Sequence, residues 1–196
     1  KVDFVDLKRL EGIAEILGRK AGSPVLCPEI RAMKDTEYPL LKDFLYEAIY
    51  VPEGGAPPDR SILEMPELQV YLSGFGESES DCAAAAEVQG KVVGAAWARI
   101  MNDYGHIDDE TPSLAIAVHK EYRGQGIGKK LLLFLMSALE GKGFERVSLS
   151  VQKSNPAVRL YQRTGFITVD ETEEEYIMVN NLTMSADGAA VKRRGK

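Results

Sequence analysis

A glycine-rich segment, residues 118–130, is the feature that most constrains how this chain folds. Three glycines alternate with other residues there, after an apolar run typical of a β-strand and before an apolar run typical of an α-helix. Glycine adopts positive φ angles and lets a ligand approach the backbone closely. The first turn of a helix offers unpaired backbone N–H groups and the positive end of the helix dipole. The segment therefore predicts an anion-binding turn between a strand and a helix.

The charges of the same segment favour an anionic ligand. Positions 119–130 contain four basic residues and one acidic residue, whereas the whole chain has 24 Lys and Arg against 30 Asp and Glu, a net charge of −6. The dinucleotide fingerprint G-x-G-x-x-G fails at Lys129, where it requires a third glycine. The P-loop pattern also fails, because Lys130 stands where that pattern requires serine or threonine. The alternative to an anion site is a tight strand-to-helix turn in which the glycines only allow the backbone conformation.

The composition excludes several classes of protein. Apolar residues make up 44% and charged residues 28% of the 196 residues, which is typical of a globular domain. The longest apolar run, Leu131–Met136, is far shorter than the ~18 residues that cross a bilayer. The two cysteines form no disulfide framework or metal-ligand cluster, and the first residues show no secretory signal. We therefore expect a cytoplasmic protein without a metal or a membrane segment, and the acidic balance argues against a nucleic-acid partner.

Hydrophobic periodicity divides the chain into three parts. Residues 1–28 form an extension with a predicted helix and a linker, residues 29–184 form the domain, and residues 185–196 form a basic tail that we expect to be disordered. Antiparallel hairpins at both ends of the domain and a strand–helix–strand crossover between them predict an α/β (α+β) fold with a mixed sheet. The predicted strands lie at 29–33, 82–88, 92–101, 113–118, 146–151, 166–169 and 175–180, and the predicted helices at 4–17, 35–49, 66–75, 127–139 and 156–164, with Asp35 and Asn155 as N-caps of two of them.

A second motif follows the glycine-rich segment about thirty residues later, at 155–166. The two segments together resemble the GCN5-related N-acetyltransferase (GNAT) superfamily. Its pyrophosphate signature, Arg/Gln-x-x-Gly-x-Gly/Ala, is matched at every defined position by residues 123–128. Its later region, N-x-x-A-x-x-hydrophobic-Tyr-x-x-x-Gly-Phe, is matched in kind by Asn155, Ala157 or Val158, Tyr161, Gly165 and Phe166. The resemblance covers residues 29–182.

The resemblance implies where a co-substrate binds. The family has a mixed, mostly antiparallel sheet that splays between strands 4 and 5 and is flanked by helices, with acetyl-CoA in the opening. Backbone groups of the fourth strand would then bind the pantetheine arm, the turn would bind the pyrophosphate, and two cations and an asparagine would assist. The residues that carry these expected roles are Ile116 and Val118 in the strand, Arg123, Gly124, Gln125, Gly126, Ile127 and Gly128 in the turn, and Lys129 and Asn155 beside it.

The resemblance also implies that Tyr161 is the general acid, because a phenol of pKa near ~10 can protonate a leaving thiolate. The general base is open, since the fourth strand contains no acidic residue. Acidic residues of the preceding loop are the nearest ones, and we select Glu110 as the second catalytic candidate, with a base acting through ordered water as an alternative. The same loop, residues 102–112, holds four acids and no Lys or Arg, which fits either a solvated loop or a site for a cationic amine.

The resemblance thus predicts an acetyl-CoA-dependent N-acetyltransferase in which a primary amine attacks the thioester directly. The acceptor is a small-molecule or peptide amine, including an amine of a protein. A non-catalytic module that binds acyl-CoA for regulation on the same fold is the alternative. A homodimer is compatible with the resemblance, and neither a nucleic acid nor a membrane is expected as a partner.

Overall fold

The computed structural model describes residues 28–182, which form one seven-stranded sheet with helices on both faces. The predicted helix at 4–17 and the predicted basic tail lie outside the described residues. The order of the strands across the sheet is β1-β2-β3-β4-β5-β7-β6. The strands are β1 (Glu29–Ala32), β2 (Cys82–Val88), β3 (Lys91–Arg99), β4 (Ser113–Val118), β5 (Arg146–Gln152), β6 (Ile167–Glu171) and β7 (Glu175–Asn181).

The pairing of β4 with β5 is the irregular point of the sheet. Every other neighbouring pair is antiparallel, whereas these two strands are parallel. Within the described residues, Ser113 and Ser148 are their single pair of register partners. The Ser148 N–H donates to the carbonyl of Pro112 at 2.9 Å. Beyond this pair the strands are unpaired, so the sheet opens between them, and the predicted fold class is confirmed.

Two helical layers cover the sheet because alternate strand residues face opposite sides. The first layer contains the long helix α3 (Ile127–Gly141), whose Leu131, Leu135 and Leu139 are fully buried. Each of these side chains contributes about 1.5–3 kcal/mol by leaving water. The second layer contains α1 (Leu41–Ala48), which packs Phe44 against the face of the sheet that holds Trp97. Two short helices complete the fold, namely α2 (Pro66–Gln69) and α4 (Val158–Arg163).

The alanine-rich run of β2 is a buried strand, as the predicted hairpin requires. Its connection to β3 contains Gln89 with φ 51° and Gly90 with φ 79°. Two successive positive φ angles are typical of a tight turn whose twist matches that of the flanking strands. The turn therefore overrides the helix propensity of four consecutive alanines.

Four predicted helices have different limits in the structure, and the long one differs least, since it is predicted at 127–139 and ends at Gly141. The helix predicted from 35 begins as a 3-10 segment at Asp35–Leu40, with Lys34 rather than Asp35 at the N-cap. Pro39 lies in that segment and lacks the N–H that an α-helical hydrogen bond requires, so the α-helix begins only at Leu41. The helix predicted at 66–75 ends at Gln69 and continues as turns. The helix predicted from 156 with Asn155 as its N-cap begins at Val158, and its N-cap is Ala157. Asn155 instead caps the turn before the helix, because its Oδ1 accepts a hydrogen bond from the Ala157 N–H.

Candidate active site

The glycine-rich turn joins β4 to α3, as predicted. Gly124 and Gly126 have φ angles of 75° and 79°, and Gly126 is the residue that directly precedes α3. A Cβ atom added to either glycine would meet no atom within 4 Å. The requirement for glycine is therefore conformational, because a left-handed residue with a side chain costs about 1–2 kcal/mol.

The turn presents a row of unpaired backbone donors. The six N–H groups of residues 124–129 donate to no acceptor among residues 28–182, and the first N–H that does is that of Lys130, which donates to the Gly126 carbonyl at 3.2 Å. These donors lie at the positive end of a helix of 15 residues. Lys129 and Lys130 are exposed beside them. The arrangement can hold a phosphate group through backbone donors and charge.

The third glycine of the turn serves packing instead. A Cβ atom on Gly128 would lie 3.2 Å from Leu160 Cδ2 and 3.9 Å from Ile116 Cδ1. Gly128 therefore lets the start of α3 lie close to α4 and to β4. This contact connects the glycine-rich turn with the second sequence motif, because Leu160 directly precedes Tyr161 on α4.

The backbone of β4 has free groups on the side that faces the opening. The His119 N–H donates to the Val93 carbonyl of β3 at 2.9 Å. Because hydrogen-bonded residues alternate along an antiparallel pair, the odd-numbered residues of β4 direct their N–H and C=O groups to β3. The groups of Ile116 and Val118 consequently point toward β5, which is not paired with them. These are the two residues expected to bind the pantetheine arm.

Arg123 contacts β4 and α1. Its Nε donates to the Val118 carbonyl at 2.7 Å, and its Nη2 donates to Glu47 Oε2 at 3.0 Å. Two groups that were expected to bind the co-substrate, the guanidinium of Arg123 and the carbonyl of Val118, therefore bind each other. Nearby, the Tyr50 hydroxyl donates to the Ser154 carbonyl at 3.1 Å, which joins the segment after α1 to the segment after β5.

Tyr161 lies on α4, and its ring packs in the core on the α3 side of the sheet. The ring meets that of Phe166 edge to face, with centroids 5.8 Å apart. Burial raises the pKa of Tyr161 to about 12, so the phenol is protonated at neutral pH. Within the described part of the chain, the hydrogen bonds of Tyr161 use its main-chain N–H and C=O groups. Asn155 precedes this helix, and its Oδ1 accepts a hydrogen bond from the Ala157 N–H at 2.9 Å.

Glu110 lies exposed in the loop before β4. Its N–H donates to Asp108 Oδ1 at 3.0 Å, and Asp108 Oδ2 accepts a hydrogen bond from Arg146 Nη2 at 2.9 Å. A hydrogen bond from Thr111 is the main cause that lowers the pKa of Asp108. This part of the acidic loop is thus a solvated turn with an ion pair, and the catalytic role of Glu110 stays a prediction.

Asp103 is the member of the acidic loop that the sequence did not distinguish. Its Oδ2 accepts hydrogen bonds from the Tyr71 hydroxyl at 2.6 Å and from Ser113 Oγ at 2.7 Å. Its Oδ1 is buried and has no partner in the described residues. Burial, followed by the charge of Asp103, raises the pKa of Tyr71. Tyr71 lies 32 residues earlier in the chain, so only the fold brings the pair together.

The β5 side of the opening also carries a carboxylate. Ser150 Oγ donates to Glu175 Oε2 at 2.7 Å. The loop that contains Asp103 enters between the two strands at Gly105, where an added Cβ would lie 2.5 Å from Ser113 Oγ and 2.9 Å from the Ser150 nitrogen. The opening is bordered by β4 on one side and β5 on the other, and each of these strands has a serine that donates to a carboxylate. Ser113 of β4 donates to Asp103, and Ser150 of β5 donates to Glu175.

The Acetyltransferase (GNAT) family model matches residues 44–166, which is more than half of the chain. This range includes the turn, the opening and Tyr161. The chain belongs to the GNAT acetyltransferase family. Its fold, with a parallel β4–β5 pair in an otherwise antiparallel sheet, is the fold of GNAT acetyltransferases of known structure.

Curated GNAT relatives match parts of the chain. The chain is 38% identical to an N-alpha-acetyltransferase of Sulfurisphaera tokodaii over 126 residues, which are 58% of the chain and 74% of the relative. It is 40% identical to the [ribosomal protein bS18]-alanine N-acetyltransferase of Haemophilus influenzae over 68 residues, 35% of the chain and 47% of the relative. It is 37% identical to a Xenopus tropicalis protein with the description "Probable N-acetyltransferase camello" over 90 residues, 45% of the chain and 40% of the relative. The chain thus spans less than half the length of two of these relatives.

Solved structures share the GNAT fold. The paia N-acetyltransferase of Thermoplasma acidophilum in complex with coenzyme A has a TM-score of 0.60 at 21% identity, over 79% of this chain and 99% of that one. A Salmonella typhimurium structure described with its cofactor acetyl-CoA has a TM-score of 0.57 at 19% identity, over 83% and 98%. Among residues 28–182, no helix has the length and apolar character to cross a bilayer, and no three potential metal ligands group together.

Proposed function

We propose that this GNAT protein uses acetyl-CoA to acetylate a primary amine, that the amine attacks the thioester directly, and that Tyr161 is the general acid. The observation that carries the proposal is the row of six unpaired N–H groups at the start of α3, next to a sheet that opens at β4. Such a row fits a pyrophosphate, and the opening fits an extended arm that lies beside β4. Known structures of this fold with coenzyme A or acetyl-CoA support the assignment of the co-substrate.

Acetyl-CoA would bind through two of its parts. The pantetheine arm would lie along β4 like an added strand, and the pyrophosphate would bind to the backbone donors of the turn. Ile116 and Val118 offer backbone groups toward the opening, and residues 124–129 offer donors to the pyrophosphate. Lys129 and Arg123 add positive charge, and Arg123 would first release the Val118 carbonyl. Asn155, which stabilises the turn before α4, is proposed to contact the co-substrate as well.

Acetyl-CoA supplies an activated acetyl group whose thiolate leaves as the amide bond forms. Tyr161 is protonated because its pKa is about 12, as a general acid must be. Tyr161 donates a hydrogen bond to the sulfur while negative charge develops there, and its proton passes to the thiolate as the C–S bond breaks.

A protein or peptide α-amine is the acceptor class that the relatives favour. Two of them are, by description, an N-alpha-acetyltransferase and a ribosomal-protein alanine N-acetyltransferase. An α-amine has a pKa of ~7.7–8.0, so a sizeable fraction is already neutral and nucleophilic near pH 7.5. A lysine or polyamine, with a pKa near ~10.4, would need a stronger base at the site.

The test is an acceptor panel with acetyl-CoA, in which released thiol and the mass of the product are both measured. The panel contains peptides with a free α-amine, the same peptides with that amine blocked and one lysine free, and small diamines. We expect turnover on free α-amines, and Tyr161→Phe should reduce kcat at least tenfold while the Kd for CoA stays the same. Binding of CoA without turnover on any acceptor would instead identify the regulatory module.

A further inference from the structure

The structure assigns to Asp103 the role of receiving the attacking amine, with Tyr71 and Ser113 as the residues that position it. This inference rests on the proposed function and names a group that the sequence left open. Asp103 and its partners belong to different segments, since Tyr71 follows α2 and Ser113 begins β4.

The Asp103 carboxylate is fixed through one oxygen only. Oδ2 accepts short hydrogen bonds from Tyr71 at 2.6 Å and from Ser113 at 2.7 Å, which sets the orientation of the group. Oδ1 is buried without a partner in the described part of the chain. A buried polar atom without a partner costs free energy, and such an atom requires an explanation. An N–H group from a ligand would supply the missing partner.

The position of Asp103 fits the end of a bound acetyl-CoA. The turn that would bind pyrophosphate follows the last residue of β4, whereas Ser113 is the first. Six strand residues span about 20 Å, so Asp103 lies at the opposite end of the opening. An arm that runs along β4 from the turn would bring its thioester toward this end.

Tyr161 and Asp103 lie on opposite sides of the opened sheet. Tyr161 belongs to the core on the α3 side. Tyr71 belongs to the core on the α1 side, and Ser113 has the same side-chain direction as Ala115 and Ala117, which also belong to that core. The leaving sulfur would thus meet an acid from one side while the amine arrives from the other side.

The chemistry of the attack needs an anion at that place. The nitrogen of a neutral amine forms the new C–N bond with its lone pair and becomes positively charged. Asp103 Oδ1 accepts a hydrogen bond from this nitrogen, stabilises the charge and takes one proton. The C–S bond then breaks, and its electron pair leaves with sulfur, which takes the Tyr161 proton. When the products leave, solvent enters the opening, removes the proton from Asp103 and returns a proton to Tyr161.

Glu175 indicates that the acceptor side as a whole favours positive charge. Its carboxylate is held by Ser150 on the other wall of the opening. Its charge is one of those that act on Tyr71, the partner of Asp103. Glu110, in contrast, lies exposed in the solvated part of the loop. The geometry therefore favours Asp103 over Glu110 as the group that meets the amine.

The experiment compares Asp103→Asn with Asp109→Asn, which makes the same chemical change at an exposed position of the same loop. Glu110→Gln is measured beside them as the competing candidate for the base. With a saturating peptide acceptor, we expect Asp103→Asn to lower kcat at least a hundredfold, as loss of a general base does. The KM for acetyl-CoA, the Kd for CoA and the thermal midpoint should change little. Tyr71→Phe and Ser113→Ala should each lower kcat about three- to tenfold, and Asp109→Asn should retain activity within about twofold.

Each other outcome would overturn the inference. If Asp103→Asn keeps kcat within threefold, or if it lowers the thermal midpoint and CoA affinity together with activity, Asp103 has no role in the chemistry. If Glu110→Gln shows the large loss, the base is Glu110. Failure of the proposed function is distinguishable, because the unmodified protein would then show no turnover on any acceptor.

Discussion

Two titratable side chains define the proposed chemistry, and neither owes its properties to neighbours in sequence. Burial between α4 and the sheet is the one cause that raises the pKa of Tyr161. Asp103 is held by a tyrosine and a serine from other segments. The sequence identified Tyr161 through a motif of local spacing, whereas no local pattern indicates a carboxylate whose partners are 10 and 32 residues away. Proximity in sequence points to Glu110 instead, because Glu110 lies only three residues before β4.

The buried phenol predicts a dependence of stability on alkaline pH. The pKa of Tyr161 is about 12 in the folded protein and ~10 when unfolded, so above pH 10 the unfolded chain releases a proton that the folded chain keeps. The free energy of unfolding should therefore fall between pH 10 and 12, by up to about 3 kcal/mol from this group. Urea unfolding at pH 8 and pH 11 measures the fall.

Tyr161→Phe should reduce this alkaline loss of stability, because phenylalanine has no proton to release. Tyr104→Phe is the matched control, since Tyr104 is 57% exposed and should leave the pH dependence as it is. An equal effect of both substitutions would contradict the assignment to burial of Tyr161.

At the scale of the elements, Arg123 of the turn contacts both β4 and α1, and this contact occupies a backbone group of β4 that the co-substrate is proposed to bind. Arg123 bonds the Val118 carbonyl and Glu47 at the same time. The glycine signature predicted the turn, including its two left-handed residues, because backbone conformation there follows from residue type. The contact of Arg123 with α1 was not predictable, since it depends on how that helix packs on β4.

Removal of the Glu47 carboxylate should tighten the binding of CoA. An exposed ion pair contributes at most about 1 kcal/mol. Without the pair, Arg123 leaves its partners more easily, and the binding constant for CoA rises by up to about fivefold. We expect Glu47→Gln to lower the Kd for CoA two- to fivefold in isothermal titration calorimetry. Glu121→Gln, an exposed carboxylate next to the same turn, should leave the Kd unchanged. Weaker binding in Glu47→Gln would show that Glu47 helps to hold the co-substrate.

At the scale of the whole molecule, the sheet consists of two parts that meet at one register pair, Ser113 with Ser148. The hydrophobic pattern predicted all seven strands and the long helix, because alternation and helical spacing are local properties. The opening between β4 and β5 was predicted by the family resemblance and not by the hydrophobic pattern. Periodicity does not reveal which neighbouring strands lack hydrogen bonds, since a strand beside an opening has the same apolar pattern as a paired one.

Because the two parts of the sheet share one register pair, we expect a ligand that fills the opening between them to stabilise the whole domain. A ligand at 100 times its Kd adds about 2.7 kcal/mol to the free energy of unfolding. We expect CoA to raise the thermal midpoint by several degrees in differential scanning calorimetry. Pantetheine has no pyrophosphate and cannot engage residues 124–129, so at the same concentration it should produce a clearly smaller shift. Equal shifts would mean that the turn is not the anion site.

The alternation of hydrogen bonds along β4 makes the strand itself a reporter of occupancy. Amide hydrogens that point to β3 are locked in the sheet, whereas those of Ile116 and Val118 point into the opening. In hydrogen–deuterium exchange resolved by residue, protection should therefore alternate: slow at Ala115 and Ala117, fast at Ile116 and Val118. Addition of CoA should slow the two fast sites and erase the alternation, so that the strand exchanges as though a neighbouring strand had been added.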